Sequence, residues 1–334
     1  GGSDATSGVV SFDVCFSTVS NGCTNIPGTS TIAGNTAGFT TVSPSPVLTT
    51  GTYYTCVRAN DGAGNAAAAW ACSDGFTVDG TVPTNPASIS DLSVALSDKD
   101  WTNSTTALSA SWPAGADAGS GIRDYSVCFT QTSITGTSGA CSAVAGTSTV
   151  TGNTSRTVTA TATGLTNGTT YYTCVRTYDT VGNAANWLCS NGFTVDTSLP
   201  TNPTTAQIYD MNGVADKDWS SSTTNLQAVI TTLGSDTGSG VATLSVCFST
   251  SNAACSLIPG TTLQTGQAVT TTASIAMTSG STYYTCVQAT DTAGNVAASW
   301  SCSDGFTIDN AAPTITSADV FDATLASPDR DWTN

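Results

Sequence analysis

The stretch Leu165-Thr-Asn-Gly-Thr-Thr-Tyr171-Tyr-Thr-Cys-Val175 decides the fold, because its second half is written three times. Tyr-Tyr-Thr-Cys-Val stands at Tyr53–Val57, Tyr171–Val175 and Tyr283–Val287. Its cysteines, Cys56, Cys174 and Cys286, recur at intervals of roughly 115 residues, and a long fixed period means a module copied along the chain. Other landmarks keep the same phase. Val-Cys-Phe surrounds Cys15, Cys128 and Cys247; Gly-Phe-Thr closes Asp74–Thr77, Asn191–Thr194 and Asp304–Thr307. Asp-Lys/Arg-Asp-Trp occupies Asp98–Trp101, Asp216–Trp219 and Asp329–Trp332. Boundaries fall best after Asp79, Asp196 and Asp309, ahead of Pro83, Pro200 and Pro313. Residues 80–196 and 197–309 then read as whole repeats, 1–79 as a repeat lacking its first strands, and 310–334 as the opening strand of another. This phase is expected of a window on a longer periodic chain, such as the unit of a polymerising fibre.

Composition narrows the class. Hydrophobic residues make up 39% of the 334 and mean hydropathy is +0.04, too apolar for an acidic disordered chain. No apolar run is long enough to span a bilayer, and no signal peptide opens the chain. The net charge is −16 and every one of the 23 acids is Asp, so nothing here replaces the counterions of a nucleic acid. The absence of His removes His-activated nucleophiles and His metal sites. Thr, Ser, Gly, Val and Asn dominate, which disfavours long helices.

Within a repeat the signals are strand and turn: short Thr/Val/Tyr/Phe runs between Gly, Asn, Asp and Ser clusters. In the second repeat the pattern predicts strands near Ala87–Leu96, Ala107–Trp112, Ile122–Thr130, Ser142–Thr149, Arg156–Ala162, Thr170–Tyr178 and Trp187–Val195. About seven strands in such a length make an all-β chain of β-sandwiches.

Leu165 to Tyr171, followed by Thr-Cys-Val-Arg-Thr, resembles the corner between strands E and F of fibronectin type III and bacterial Ig-like modules, where a Tyr hydroxyl anchors the turn. Ser109-Ala-Ser-Trp112 resembles the strand B tryptophan, and Ile122–Phe129 resembles strand C. Asp-x-x-Gly-Asn at Asp61–Asn65, Asp179–Asn183 and Asp291–Asn295 is similar to the F–G turn of tandem bacterial surface repeats. The resemblance covers essentially the whole chain. It implies tandem fibronectin III-like or Ig-like β-sandwiches, an extracellular or cell-surface location, and a bacterial source.

Twelve cysteines fall four to a repeat, with no Cys-x-x-Cys, which points to disulfides and an oxidising compartment. Four cysteines allow three pairings. The type III strand order implied by the resemblance sets C′, C, F and G side by side. It favours local bridges: Cys15–Cys23, Cys56–Cys72, Cys128–Cys141, Cys174–Cys189, Cys247–Cys255 and Cys286–Cys302. Alternation turns Cys174 away from Tyr171, Thr173 and Val175, so the bridges are expected outside the core, each contributing roughly 2–3 kcal/mol.

Chemistry is sparse. The Asp-x-Asp pairs Asp98/Asp100, Asp216/Asp218 and Asp329/Asp331 lie near Asp91, Asp210, Asp319 and Asp322, and near the boundary residues Asp79, Asp196 and Asp309. Such carboxylates suit Ca²⁺, which takes six to eight oxygens, near each junction; the alternative is that each Asp caps its own turn. Asp61, Asp179 and Asp291, like Asp4, Asp117 and Asp236, are expected to shape turns. Trp101, Trp219 and Trp332, and also Trp70, Trp187 and Trp300, keep the repeat phase; plugging a core edge or a junction is expected over stacking on a sugar. Asn103, Asn153 and Asn167 open glycosylation sequons. Catalysis is not expected. Serines lack a His base, the Asp pairs recur in linker-like sequence, and Lys99 and Lys217 are flanked by Asp rather than set for crosslinking.

The expected role is a structural segment of a fibre, stalk or adhesin whose partners are copies of itself. The alternatives are an adhesin module that binds a glycan or a host protein, through a variable tip such as Thr130–Ala140, and an accessory array on a secreted enzyme.

Overall fold

The computed structural model describes residues 2–42, 47–134, 136, 139–210, 215–266 and 270–316. Among them the only helical element is a 3-10 turn over Thr205–Gln207, and no helix is long and apolar enough to cross a membrane. Two compact units form. One comprises Gly1–Asp98, Leu108–Thr163 and Tyr171–Gly192; the other comprises Lys99–Ala107, Gly164–Thr170 and Phe193–Asn334.

The first unit begins with β1 (Val9–Ser17), β2 (Ile32–Asn35), β3 (Gly51–Asp61), β4 (Ala71–Cys72) and β5 (Phe76–Val78). They form one sheet in the order β2-β1-β3-β4, with β5 also on β3. The second repeat supplies β6 (Ser90–Asp91), β7 (Trp101–Thr102), β8 (Ala107–Ser111), β9 (Ile122–Thr130), β10 (Val150–Asn153), β11 (Thr157–Thr161), β12 (Thr170–Asp179), β13 (Leu188–Cys189) and β14 (Phe193–Val195). Here β10, β9 and β12 pair in sequence, with β13 beside β12, and β8 lies between β11 and β6. In the second unit β7 runs parallel to β14.

The third repeat, wholly in the second unit, shows both layers. Its strands are β15 (Ile208–Asp210), β16 (Trp219–Ser220), β17 (Asn225–Ile230), β18 (Val241–Ser249), β19 (Gln264–Gly266), β20 (Thr270–Ser274), β21 (Thr282–Asp291), β22 (Ser301–Cys302) and β23 (Phe306–Ile308). One sheet runs β16-β23-β21-β18-β19, with β22 on β21, and the other runs β15-β17-β20. Alternation explains the packing. Leu226, Ala228 and Ile230 point inward from β17, and Tyr283, Val287 and Ala289 do so from β21. They meet Phe248, Phe306 and Ile308 in one cluster and Ile208, Leu244 and Val246 in another. The chain is an all-β assembly of disulfide-bearing sandwiches.

Several elements differ from the sequence reading. The strand expected over Ser142–Thr149 lies instead at Val150–Asn153, and only Ala143 bridges to Thr130 before it. The reason is a turn: after Ala143 and Val144 pair with β9, Thr147 N donates to the Val144 oxygen and Gly146 takes φ +84, which interrupts the run. The early strand shortens to Ser90–Asp91. The run Trp187–Val195 divides into β13 and β14, because Gly192 breaks it at φ +92. A Cβ there would also press on the Tyr172 ring, so Gly is required twice over.

All six cysteine pairs are joined: Cys15–Cys23, Cys56–Cys72, Cys128–Cys141, Cys174–Cys189, Cys247–Cys255 and Cys286–Cys302. Cys56 faces Cys72, and Cys286 faces Cys302, directly across antiparallel strands, with Cα atoms 3.9 Å apart. The bridges do sit on the sheet face opposite the sandwich core, but they are not exposed. Cys128 and Cys174 are buried beneath Trp187, Ile134 and Tyr172 in a small core of their own, and Cys247 and Cys286 beneath Trp300 and Tyr284. The tryptophans thus divide by role. Trp187 covers sulfur, whereas Trp219 is 63% exposed; Trp332 lies outside the described residues.

Candidate functional site

The sequence sets acids at three kinds of place, and the fold sorts them. In each of the three β-ladders linking β1 to β3, β9 to β12, and β18 to β21, a register shift falls at the end beside Asp61, Asp179 and Asp291. Such an irregularity re-aims the chain as it leaves the sheet. Asp179 then closes its own turn. Its Oδ1 accepts the amides of Val181, Gly182 and Asn183, and its Oδ2 accepts Asn183 Nδ2 at 2.7 Å. Asp291 does the same with Gly294 and Asn295.

The asparagine of that turn reaches further. Asn183 Nδ2 also donates to the backbone oxygen of Asp79 (3.0 Å), and Asn295 Nδ2 to that of Asp196 (2.8 Å). The turn at 179–183 is therefore bonded to Asp79, and the turn at 291–295 to Asp196. The boundary carboxylates are held as well. Asp79 accepts Thr81 through Oδ1 and the Ser120 amide through Oδ2 (2.7 Å); Asp196 accepts Ser198 and Ser239 in the same way. The Thr81 hydroxyl and amide, with Ser120, pull the Asp79 carboxyl down to about 2. Burial opposes the shift at Asp196, yet hydrogen bonds from Ser239 and Ser198 hold it below the ordinary value.

A third acid completes each junction. Asp117 Oδ2 accepts the amides of Gly119 and Gly121, and Asp236 Oδ2 those of Gly238 and Gly240. A Cβ on Gly119 or Gly238 would collide with the boundary carboxylate, which explains the glycine at that position. Asp79, Asp117 and Asp179 each bring an oxygen within 4.8 Å of the others, and so do Asp196, Asp236 and Asp291. A third cluster, Asp210, Asp216 and Asp304, lies within the third repeat.

The acids expected to act as one set are thus separated. Asp79 and Asp196 meet the acids of the next repeat's turns, not the Asp-x-Asp pairs. Asp216 turns to Asp210, and Asp98 to the Asp91 amide. Asp100 and Asp218 use their backbone oxygens to pair Thr194 and Thr307. Asp309 accepts the Ala311 amide, and Asp329 and Asp331 lie outside the described residues. Of the sequon asparagines, Asn103 is exposed, Asn153 is bonded within its own turn to Ser155, Arg156 and Thr157, and Asn167 accepts the Thr197 amide. The junction role of Asn183 and Asn295 was missed. The signal for it was the asparagine that closes every Asp-x-x-Gly-Asn turn.

Replacing Asn295 by alanine removes two buried hydrogen bonds and leaves Asp291 Oδ2 and the Asp196 carbonyl short of a donor. The expected cost is about 2 kcal/mol, concentrated at the junction. Hydrogen exchange read separately over the 291–295 turn and the β17 amides would check this; equal protection loss in both would contradict a local role.

Residues 100–187 match the model of the fibronectin type III domain. The match covers about a quarter of the chain. The chain is also similar, at low identity, to solved structures. It is similar to domains FN1–FN3 of chicken CNTN1, at 12% identity over 92% of this chain and 90% of that one, with a TM-score of 0.37. It is similar to a 1.5-MDa bacterial ice-binding adhesin, at 17% identity over 77% and 73%, with a TM-score of 0.35. It is similar to a Ca²⁺-stabilized adhesin of an ice-binding Antarctic bacterium, at 17% identity over 94% and 71%, with a TM-score of 0.34. No curated protein sequence matches the chain.

Proposed function

We propose that the chain is a load-bearing segment of an extracellular fibre, stalk or adhesin, in which residues 80–196 and 197–309 act as successive spacer modules. The observation that carries this reading is the junction built twice to one plan: Asn183 on Asp79, and Asn295 on Asp196. A grip repeated at the module boundary serves a chain that must hold its modules in register. Six disulfides and no free cysteine among the described residues fit an oxidising, extracellular setting. Each module adds roughly 35–40 Å on the scale of strand length plus a junction. Micrographs of the native material test this: filaments with that axial spacing are expected, and compact particles without axial repeat would refute it.

The reading includes calcium at the junctions. The donors are all carboxylate oxygens, which suit Ca²⁺, and Asp236 Oδ1 is buried with no hydrogen-bond partner among the described residues. Asp196, Asp236 and Asp291 would hold the ion, which would supply positive charge between three like charges and so stiffen the junction. Excess chelator is expected to lower the melting temperature; an unchanged midpoint would count against the ion.

A further inference from the structure

The third cluster is not at a junction, and its chemistry is different. Asp210 ends β15 and is fully buried. Its Oδ1 accepts the Thr285 hydroxyl at 2.6 Å. Its Oδ2 is buried with no hydrogen-bond partner among the described residues, and is what Asp210 has left to offer Asp216 and Asp304. Asp216 is fixed beside it, because its Oδ1 accepts the Asp210 amide at 2.7 Å. Asp304 comes from the turn before β23, and both it and Asp216 stand open to solvent. No ion pair involves any of the three among the described residues. Burial first, then the charges of Asp216 and Asp304, push the Asp210 carboxyl up to about 6, against hydrogen bonding from Ser303 and Thr285. The arrangement is a buried carboxylate oxygen without a donor, with two more carboxylates at its solvent side.

We propose that Asp210, Asp216 and Asp304 bind one calcium-sized divalent cation within the third repeat, tying β15 to the turn ahead of β23. Oxygens on opposite sides of a Ca²⁺ at 2.3–2.6 Å stand up to about 5 Å apart, which accommodates three carboxylate oxygens that lie within 4.8 Å of one another. Water completes the shell on the open side. The second repeat provides the contrast inside the same chain. Asp91 is equally buried, its Oδ2 is likewise without a partner among the described residues, and Asp98 Oδ1 accepts its amide at 2.7 Å. The position of Asp304, however, is held by Asn191, so that repeat has two carboxylates where the third has three. Among the described residues this three-carboxylate cluster therefore occurs in the third repeat alone, and Asp304 makes the difference.

The test exchanges that residue. Tightly bound Ca²⁺ per full-length chain is counted by equilibrium dialysis for the native protein, Asp304→Asn and Asn191→Asp. Both positions are exposed, and equal circular-dichroism melts in chelator establish that the variants fold. Asp304→Asn is expected to bind one ion fewer and Asn191→Asp one more. A count that stays the same in either variant overturns the proposal, as does a native chain that binds no calcium. Asp236→Asn, counted in parallel, reports on the junction reading alone: its failure to lose an ion overturns that reading and leaves this one standing.

Discussion

Replacing Asp91 by asparagine is expected to stabilise the second repeat at pH 7.5 and to leave it unchanged at pH 4. Thr173 donates its hydroxyl to Asp91 Oδ1, a bond that asparagine keeps, while Oδ2 is buried without a partner among the described residues. Burial raises the Asp91 carboxyl to about 6; Ser190 and Thr173 oppose the shift, and the charge of Asp98 adds to it. No ion pair offsets that charge among the described residues. Between the unfolded value of 3.8 and about 6, the folded state holds a proton that the unfolded state has lost. Stability from this group is therefore complete below pH 3.8 and is lost as pH rises through 6. The full loss is about 3 kcal/mol, at 1.36 kcal/mol per pH unit. Asparagine does not titrate, so it escapes the loss. Calorimetry of both proteins in chelator at pH 4 and pH 7.5 checks this. A variant less stable than native at pH 7.5 would mean that the Asp91 charge is well solvated or paired. Asp79 works in the opposite sense: its carboxyl is held at about 2, so its contribution is present above pH 3.8 and disappears as pH falls toward 2.

Trp112→Ala is expected to cost the second repeat about 3–5 kcal/mol, the range for deleting a fully buried large aromatic side chain. Trp112 is 1% exposed and meets Tyr125 edge-on, with ring centroids 5.7 Å apart. Its indole N–H is buried and has no acceptor among the described residues, so its contribution is packing alone. Trp112→Phe keeps much of the volume and discards the orphaned donor, and should retain most of the stability. By strand register, Ile230 occupies the corresponding place in the third repeat, and it too is fully buried. Thermal melting of the two variants would check the order. A phenylalanine variant as damaged as the alanine variant would show that the indole N–H has a partner after all.

Much of the architecture was legible because it is local. The alternation of β12 could be read along Thr170-Tyr-Tyr-Thr-Cys-Val, and the turn at Asp179 from five consecutive residues whose carboxylate and amides bond one another. The loop between β9 and β10 was not legible, since the turn at Gly146 ends the pairing with β9 after Ala143 and Val144. Nor was the covering of the bridges by Trp187 and Trp300, which depends on how each loop folds back over the sheet. The junction was half legible. Asp79 and Asp196 stood out as boundaries, but Asp117 and Asp236 looked like ordinary turn residues.

The sequence by itself determined the period, the all-β class, the turns and the number of thiols, because each is read from residue identities along the chain, the turns from residues within a few positions of one another. The tertiary structure alone decided which carboxylates meet, and which of them lose water. Asp91 and Thr173 are 82 residues apart, and Asp196 and Asn295 are 99. An aspartate at a strand end looks the same in the sequence whether it faces solvent or a second sheet. Only when β6 lies across β8, or β15 across β17, does its charge become expensive enough to call for a proton or a cation.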